Sequence, residues 1–284
     1  MLCPRACGAD RAAGERGFCR APALPVVARA ARHDWEEPCI SGVNGSGAVF
    51  FSGCSLGCVY CQNREITAEI KGKTLDVPAL RDLFARLRDT GVHNLNLVTA
   101  APYADTVAEA LEVPPGIPVV WNSGGYESVE TLKMLEGKVD IYLPDMKYRD
   151  AALAERFSAA PDYFSVADAA IREMFRQTGP VRVDGAGILQ RGILVRHLVL
   201  PGFLGNSKDV LEWFADTFPR GSVLLSLMAQ YTPNGFGGPE RRLREEEFQE
   251  VWDYMAMLGI RDGYVQELSS AESSYTPPFD GTGL

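Results

Sequence analysis

The residues best suited to chemistry are Cys54, Cys58 and Cys61, in the run Gly53-Cys54-Ser55-Leu56-Gly57-Cys58-Val59-Tyr60-Cys61. Their C-x3-C-x2-C spacing offers three thiolates within eight residues, and no cysteine follows Cys61. Thiolates are soft ligands that select iron–sulfur clusters, zinc or copper(I). Structural zinc takes four protein ligands, often as two short pairs, and no second pair follows here. A four-iron cube with one iron left open fits the spacing better, and an open iron can bind and activate a substrate. A disulfide, a zinc site and a closed electron-transfer cluster completed by a distant cysteine are the competing readings.

The elements that position such a loop are legible beside it. Ala48-Val49-Phe50-Phe51 is an apolar run suited to a buried strand, and Ser52-Gly53 breaks it. Gly53 and Gly57 allow backbone conformations closed to other residues and let main-chain amides approach a cluster. The triad therefore belongs at the C-terminal end of the first strong strand, where α/β folds place their chemistry.

Downstream the pattern alternates. Strands are expected over 48–52, 94–99, 118–121, 139–143, 193–199 and 222–228. Helical stripes lie between them, such as Leu80, Leu83, Phe84 and Leu87, or Ala104, Val107, Ala108 and Leu111. Further helices are expected over 126–136, 150–159, 163–178 and 209–218, and around Phe248–Met255. Val181–Gly185 and Ile188–Gln190 read as a hairpin before the fifth strand. Apolar strands alternating with helices imply a parallel sheet covered by helices; six of them suit a curved partial barrel, although the pattern alone does not separate this from an open doubly wound sheet.

The chain has 284 residues, 46% of them hydrophobic, and a formal net charge of −9. That charge argues against nonspecific nucleic-acid binding, which needs excess Lys and Arg. No apolar run reaches the length of a membrane span, and the N-terminus lacks the apolar core of a signal peptide, so the expectation is a cytoplasmic protein with no membrane and no nucleic-acid partner. Three parts are expected: a cysteine-rich N-terminal extension over 1–40, a barrel over 41–268, and a polar tail over 269–284, either disordered or draped over the barrel mouth.

Polar residues at strand C-termini face the active site of barrel folds. Asn122-Ser123-Gly124-Gly125 follows one strand, Asp145 and Lys147 the next, and Gln230 and Tyr231 the sixth. Taken singly, the first is ordinary turn chemistry and the second a solvated pair. Arg196 within an apolar strand is harder to dismiss, since a buried guanidinium needs a carboxylate partner. Arg196 and His197 must point to opposite faces, so only one of them faces the barrel interior.

A C-x3-C-x2-C loop with an aromatic before its last cysteine resembles the signature of radical S-adenosylmethionine (SAM) enzymes. The resemblance implies a (β/α)6 partial TIM barrel and a [4Fe-4S] cluster on Cys54, Cys58 and Cys61. It also implies that the amino and carboxylate groups of SAM chelate the fourth iron and that Tyr60 packs near the adenine. Over nearly the whole length the chain is similar to homologues of the pyruvate formate-lyase activating enzyme. That similarity rests on Cys3-Pro4-Arg5-x-Cys7, Gly17-Phe18-Cys19, Glu36-Glu37-Pro38, Gly125-Tyr126-Glu127, Tyr142–Tyr148 and Arg196–Gly202. It carries SAM contacts to Asp145, Lys147 and Arg196, places Asn122 and Ser123 near the ribose or methionine end, and matches Gln230 to a further contact. The chain departs from the wider pattern after the second strand, where Leu97-Val98-Thr99-Ala100-Ala101 stands in place of Gly-Gly-Glu; the Thr99 hydroxyl or local carbonyls are the substitutes for receiving the SAM amino group.

The activity so implied is reductive cleavage of SAM to a 5′-deoxyadenosyl radical, with a donor such as flavodoxin or ferredoxin. The implied substrate ranges from a partner enzyme given a glycyl radical to a peptide or a small molecule. The rival class is a noncatalytic iron–sulfur electron-transfer or SAM-binding protein. Cys3, Cys7, Cys19 and Cys39 form a candidate auxiliary site for a second iron–sulfur cluster or zinc, with Cys39 or His33 as its fourth ligand, or no fourth ligand at all.

Overall fold

The computed structural model describes residues 3–270 and 275–284. In chain order β1 (Val26–His33), α1 (Pro38–Ser41), β2 (Ser46–Phe51), α2 (Arg64–Thr67) and β3 (Lys73–Thr74) come first. Then follow α3 (Val77–Asp89), β4 (Leu95–Val98), α4 (Ala104–Ala110), β5 (Val119–Ser123), α5 (Val129–Met134) and β6 (Ile141–Pro144). The chain continues through α6 (Ala151–Ser158), α7 (Tyr163–Thr178), β7 (Arg182–Val183), β8 (Leu189–Leu198), α8 (Leu204–Thr217), β9 (Leu224–Met228), α9 (Glu245–Met257) and β10 (Gly263–Val265).

The strands form one open sheet in the order β10-β9-β8-β6-β5-β4-β2-β1-β3, with β7 pairing β8 as a hairpin. From β2 to β10 all neighbours along this order are parallel; β1 is antiparallel to β2 and to β3. This is the partial (β/α) barrel read from the sequence, with its sheet not closed.

The register explains why each strand is apolar throughout. One row carries Val49, Leu97 and Trp121 across β2, β4 and β5, and these side chains enter the large core shared with the covering helices. The alternate row carries Ala48, Asn96 and Val120, then Phe50, Val98 and Asn122, and faces the inside of the curve. There a second core gathers Val120, Ile141, Leu143 and Leu194 around Cys39 and Ile40 of α1. Both faces are thus buried, the condition under which parallel strands read as continuous hydrophobic runs. Helix α3 shows the local logic: Asp76 caps it by accepting from Ala79 N at 3.0 Å, and Leu80, Leu83, Phe84 and Leu87 are its buried face.

Several elements differ from the expectation, among them the short α1, α2 and β3, which are not anticipated. The N-terminal extension, where no strand is expected, contains β1, whose Val26, Val27, Ala28 and Ala30 are buried. Alanines and arginines give it little strand propensity; pairing with β2 supplies what the local sequence lacks. Short β10 is also unanticipated. It starts at Gly263 (φ 144°), where a Cβ would meet the Leu225 carbonyl oxygen at 1.9 Å. α8 begins at Leu204, five residues before the expected start.

Residues 275–284 are laid along the barrel; positions 271–274 of the tail lie outside the described residues. Phe279 packs on Phe50 (centroids 5.5 Å apart) and Tyr275 on Trp35 (4.9 Å). Gly281 N donates to Ala28 O (3.1 Å) and Ala30 N to Thr282 O (2.9 Å). Among the described residues no helix is long and apolar enough to cross a membrane.

Candidate active site

The cysteine loop leaves β2 through Gly53, whose φ of 92° and close approach to the Cys19 carbonyl (2.8 Å from an added Cβ) exclude a side chain. Gly53 N donates to Ile66 O (2.8 Å), Cys61 N to Cys58 O (3.1 Å) and Val59 N to Phe157 O (2.9 Å). Each sulfur has its own donor: Leu56 N to Cys54 Sγ (3.4 Å), the Ser158 hydroxyl to Cys58 Sγ (2.9 Å) and the Thr67 hydroxyl to Cys61 Sγ (3.6 Å). Burial, reinforced by the other two sulfurs, pushes the Cys54 thiol up to about 12. Burial, with the Cys58 sulfur beside it, also raises Cys61. A cationic centre shared by the three would reverse that order and favour thiolates.

Beside this loop stands a polar network that spans the inner face. Arg196 of β8 donates through Nε to Asp145 Oδ1 (3.0 Å), through one terminal nitrogen to Glu36 Oε2 (3.2 Å) and through the other to Asn122 Oδ1 (2.6 Å). Glu36 Oε1 accepts from Asn96 Nδ2 (3.0 Å) and Asn122 Nδ2 (3.1 Å), and Lys147 Nζ pairs with Asp145. Burial would raise the Asp145 carboxyl, but Lys147 and Arg196 outweigh it and hold the group below its ordinary value. His197 points the other way, under α8, between Met146 O (2.7 Å) and the Ser207 hydroxyl (2.9 Å). Burial lowers it to about 4, so it is neutral. The alternation expected within this strand thus separates a site residue from a core residue.

Tyr163 fixes the crossing of two strand ends. Its hydroxyl lies 2.8 Å from Gly124 O and 2.7 Å from Asp145 O, and accepts from Lys147 N (2.9 Å). At Gly125 (φ 76°) a Cβ would stand 2.2 Å from Asp145 O. Gly125→Ala is therefore expected to lower stability by roughly 2 kcal/mol, through positive-φ strain and displacement of the β6 end. Urea denaturation measures it, and an unchanged midpoint would show that the two strand ends are not locked together.

Cys54, Cys58, Cys61, Tyr60, Asn122, Ser123, Asp145, Lys147, Arg196 and Gln230 all line one cavity of about 240 Å³. Thr99 (φ 61°) and Glu36 line it too. Tyr60 is buried, its hydroxyl 2.5 Å from that of Tyr148. Tyr275, Thr276 and Pro277 reach the same cavity from the tail. Glu36, Thr67, Ser158 and Tyr163 were not singled out as site residues by the sequence reading. Glu36-Glu37-Pro38 was visible as a motif, but nothing local says that it enters the barrel.

The N-terminal cysteines divide. Cys3, Cys7 and Cys19 line a separate cavity of about 250 Å³ together with Arg5, Phe18, Tyr126 and Glu127. Cys39 is not brought to them: it is buried in the inner core beside Ile40 and Tyr264, and burial pushes its thiol up to about 11. His33 lines the first cavity, edge-on to Phe50 at 5.9 Å. Among the described residues no three His, Cys, Asp or Glu side chains converge as a mononuclear metal site would require. A four-iron cube, whose thiolates bind separate irons, has no such requirement.

No family model matches the chain. It is 27% identical over 263 residues to an uncharacterized protein of Methanocaldococcus jannaschii, covering 88% of this chain and 72% of that one. Among solved structures it is similar to methylornithine synthase, with 14% identity, 75% of this chain and 68% of that one covered, and a TM-score of 0.49. A domain of a pyruvate-formate lyase-activating enzyme from Bacteroides vulgatus matches with 14% identity over 58% of this chain and 92% of that one, TM-score 0.42. SuiB of Streptococcus suis, solved bound to S-adenosylmethionine, matches with 9% identity over 78% and 47%, TM-score 0.48.

Proposed function

We propose that this chain is a radical SAM enzyme, an oxidoreductase of the activating-enzyme type. One observation carries the reading: the three cysteines and the Glu36–Arg196–Asp145–Lys147 network line the same cavity. Three soft donors suit a [4Fe-4S] cluster on Cys54, Cys58 and Cys61, and the paired charges suit a zwitterionic nucleoside-sulfonium ligand. When bound, the reduced cluster supplies one electron that breaks a carbon–sulfur bond of SAM, giving methionine and a 5′-deoxyadenosyl radical that takes a hydrogen atom from a substrate.

The protein's share is placement. Lys147 and Arg196 offer cationic donors to a carboxylate, while Glu36 and Asp145 offer acceptors to an ammonium group. Their mutual pairing keeps them charged and oriented before the ligand arrives, which removes a reorganisation cost. Asn122 and Ser123 offer contacts to the ribose or methionine end, Tyr60 an apolar wall for the adenine, and Gln230 a donor and an acceptor on the far side. Tyr275, Thr276 and Pro277 at the cavity wall limit access by water. The substrate that best suits this reading is a glycine-containing segment of a protein or a peptide, with a flavodoxin or ferredoxin as electron donor.

The test is anaerobic reconstitution with iron and sulfide, followed by dithionite and SAM. The expected result is 5′-deoxyadenosine from the unaltered chain and none from Cys61→Ala. A cluster of about four irons per chain that binds SAM and yields no nucleoside would overturn the catalytic reading in favour of a noncatalytic iron–sulfur protein.

A further inference from the structure

Three buried hydroxyls run in a line to the Cys58 sulfur. The Tyr60 hydroxyl lies 2.5 Å from that of Tyr148, the Tyr148 hydroxyl 2.9 Å from that of Ser158, and the Ser158 oxygen 2.9 Å from Cys58 Sγ. Tyr60 is 7% exposed, Tyr148 0%, Ser158 2% and Cys58 7%. A serine hydroxyl has one proton. If Ser158 donates it to a Cys58 thiolate, Tyr148 must donate to Ser158 and Tyr60 to Tyr148. The three hydroxyls then all point their protons at one sulfur, and each bond polarises the next.

The serine is held from outside the barrel. The Arg5 guanidinium donates to Ser158 O (2.7 Å) and to the neighbouring Ala159 O. It also donates to two carbonyls of the cysteine loop, Ser55 O (2.7 Å) and Leu56 O (3.3 Å). Its planar fork thereby ties the end of α6 to the loop that carries Cys58. Phe18 stacks on the guanidinium at 3.9 Å. Ala159, at the helix end, adopts a left-handed conformation (φ 47°), which turns both carbonyls toward Arg5.

We propose that Tyr60, Tyr148 and Ser158 form a one-way hydrogen-bond chain that sets the reduction potential of the metal centre held by Cys58, with Arg5 fixing the serine in place. The proposal rests on the cluster reading above. Ser158 reaches no reacting atom; it acts through the Cys58 sulfur. A hydrogen bond to a cluster sulfur stabilises added negative charge and so raises the potential. Only the part of such a charge-assisted bond that differs between the oxidised and reduced states moves the potential.

The experiment is a redox titration of the reconstituted full-length chain without SAM, followed by electron paramagnetic resonance, for the unaltered chain, Ser158→Ala and Tyr148→Phe. In Ser158→Ala the ratio of reduced to oxidised cluster at a fixed ambient potential is expected to fall about tenfold, a shift of ~59 mV to more negative values for a one-electron couple. Tyr148→Phe, which keeps the Ser158 donor and removes only its polarisation, is expected to shift in the same direction by less. Equal midpoints in all three chains, each with about four irons bound, would overturn the proposal, as would a shift to more positive potential. Should Ser158→Ala lose its cluster, Tyr148→Phe decides alone by the same sign. Absence of any cluster in the unaltered chain would defeat the cluster reading itself, and this proposal with it.

Discussion

Arg196→Met is expected to lower the unfolding free energy by about 3–5 kcal/mol, the usual effect of removing one partner from a buried ion-pair network. Arg196 is the hub: its three nitrogens serve Asp145, Glu36 and Asn122, and its side chain is 14% exposed against 10% for Glu36. Methionine matches the length of the stem and carries no charge. Asp145 keeps Lys147 as a partner, so the larger loss falls on Glu36, left with the Asn96 and Asn122 amides. Adding Glu36→Gln to Arg196→Met should recover part of the stability, because the stranded charge is then gone. Urea denaturation of the metal-free chain measures both. A loss below about 1 kcal/mol for the single variant would show that the network behaves like a solvated surface pair.

Glu127 gives the second large effect, with the opposite sign. Burial raises its carboxyl from an ordinary 4.5 to about 7, and its Oε2 has no hydrogen-bond partner among the described residues. The folded chain therefore binds a proton between those values that the unfolded chain has released. Stability contributed by this group is complete below about pH 4.5 and falls as pH rises through about 7. The difference amounts to about 3 kcal/mol. Glu127→Gln imitates the protonated acid and keeps an acceptor and a donor near Ser123. Its stability should match that of the unaltered chain near pH 4 and exceed it by up to about 3 kcal/mol at pH 8. Denaturation midpoints across pH decide the matter. A variant less stable at pH 8 would mean that the ionised carboxylate has a cation partner in the folded chain.

Glu127 also marks where local reading stops. Gly125-Tyr126-Glu127 was legible as a motif, yet nothing local says that Glu127 belongs to the lining of the cavity it shares with Cys3, Cys7 and Cys19. The four N-terminal cysteines looked like one ligand set. The fold separates them because Cys39 sits on α1, and the apolar neighbours of α1 draw it onto the inner face of the sheet. Composition could not distinguish a thiol that packs from a thiol that binds.

What the sequence by itself determined is local. The C-x3-C-x2-C loop, its glycines and the strand before it are set within a dozen residues by steric freedom and ligand spacing. The β/α succession follows from periodicity, because a strand buried on both faces and a helix with one apolar stripe leave different signatures. The partition of Arg196 and His197 follows from the two-residue repeat of a strand. Tertiary structure alone decided which distant groups meet: Glu36 with Arg196, Ser158 with Cys58, Arg5 with the carbonyls of Ser55 and Leu56. These partners are separated by 50 to 160 residues. No local propensity encodes such a meeting; it exists only once the sheet has curved and its cores have closed around it.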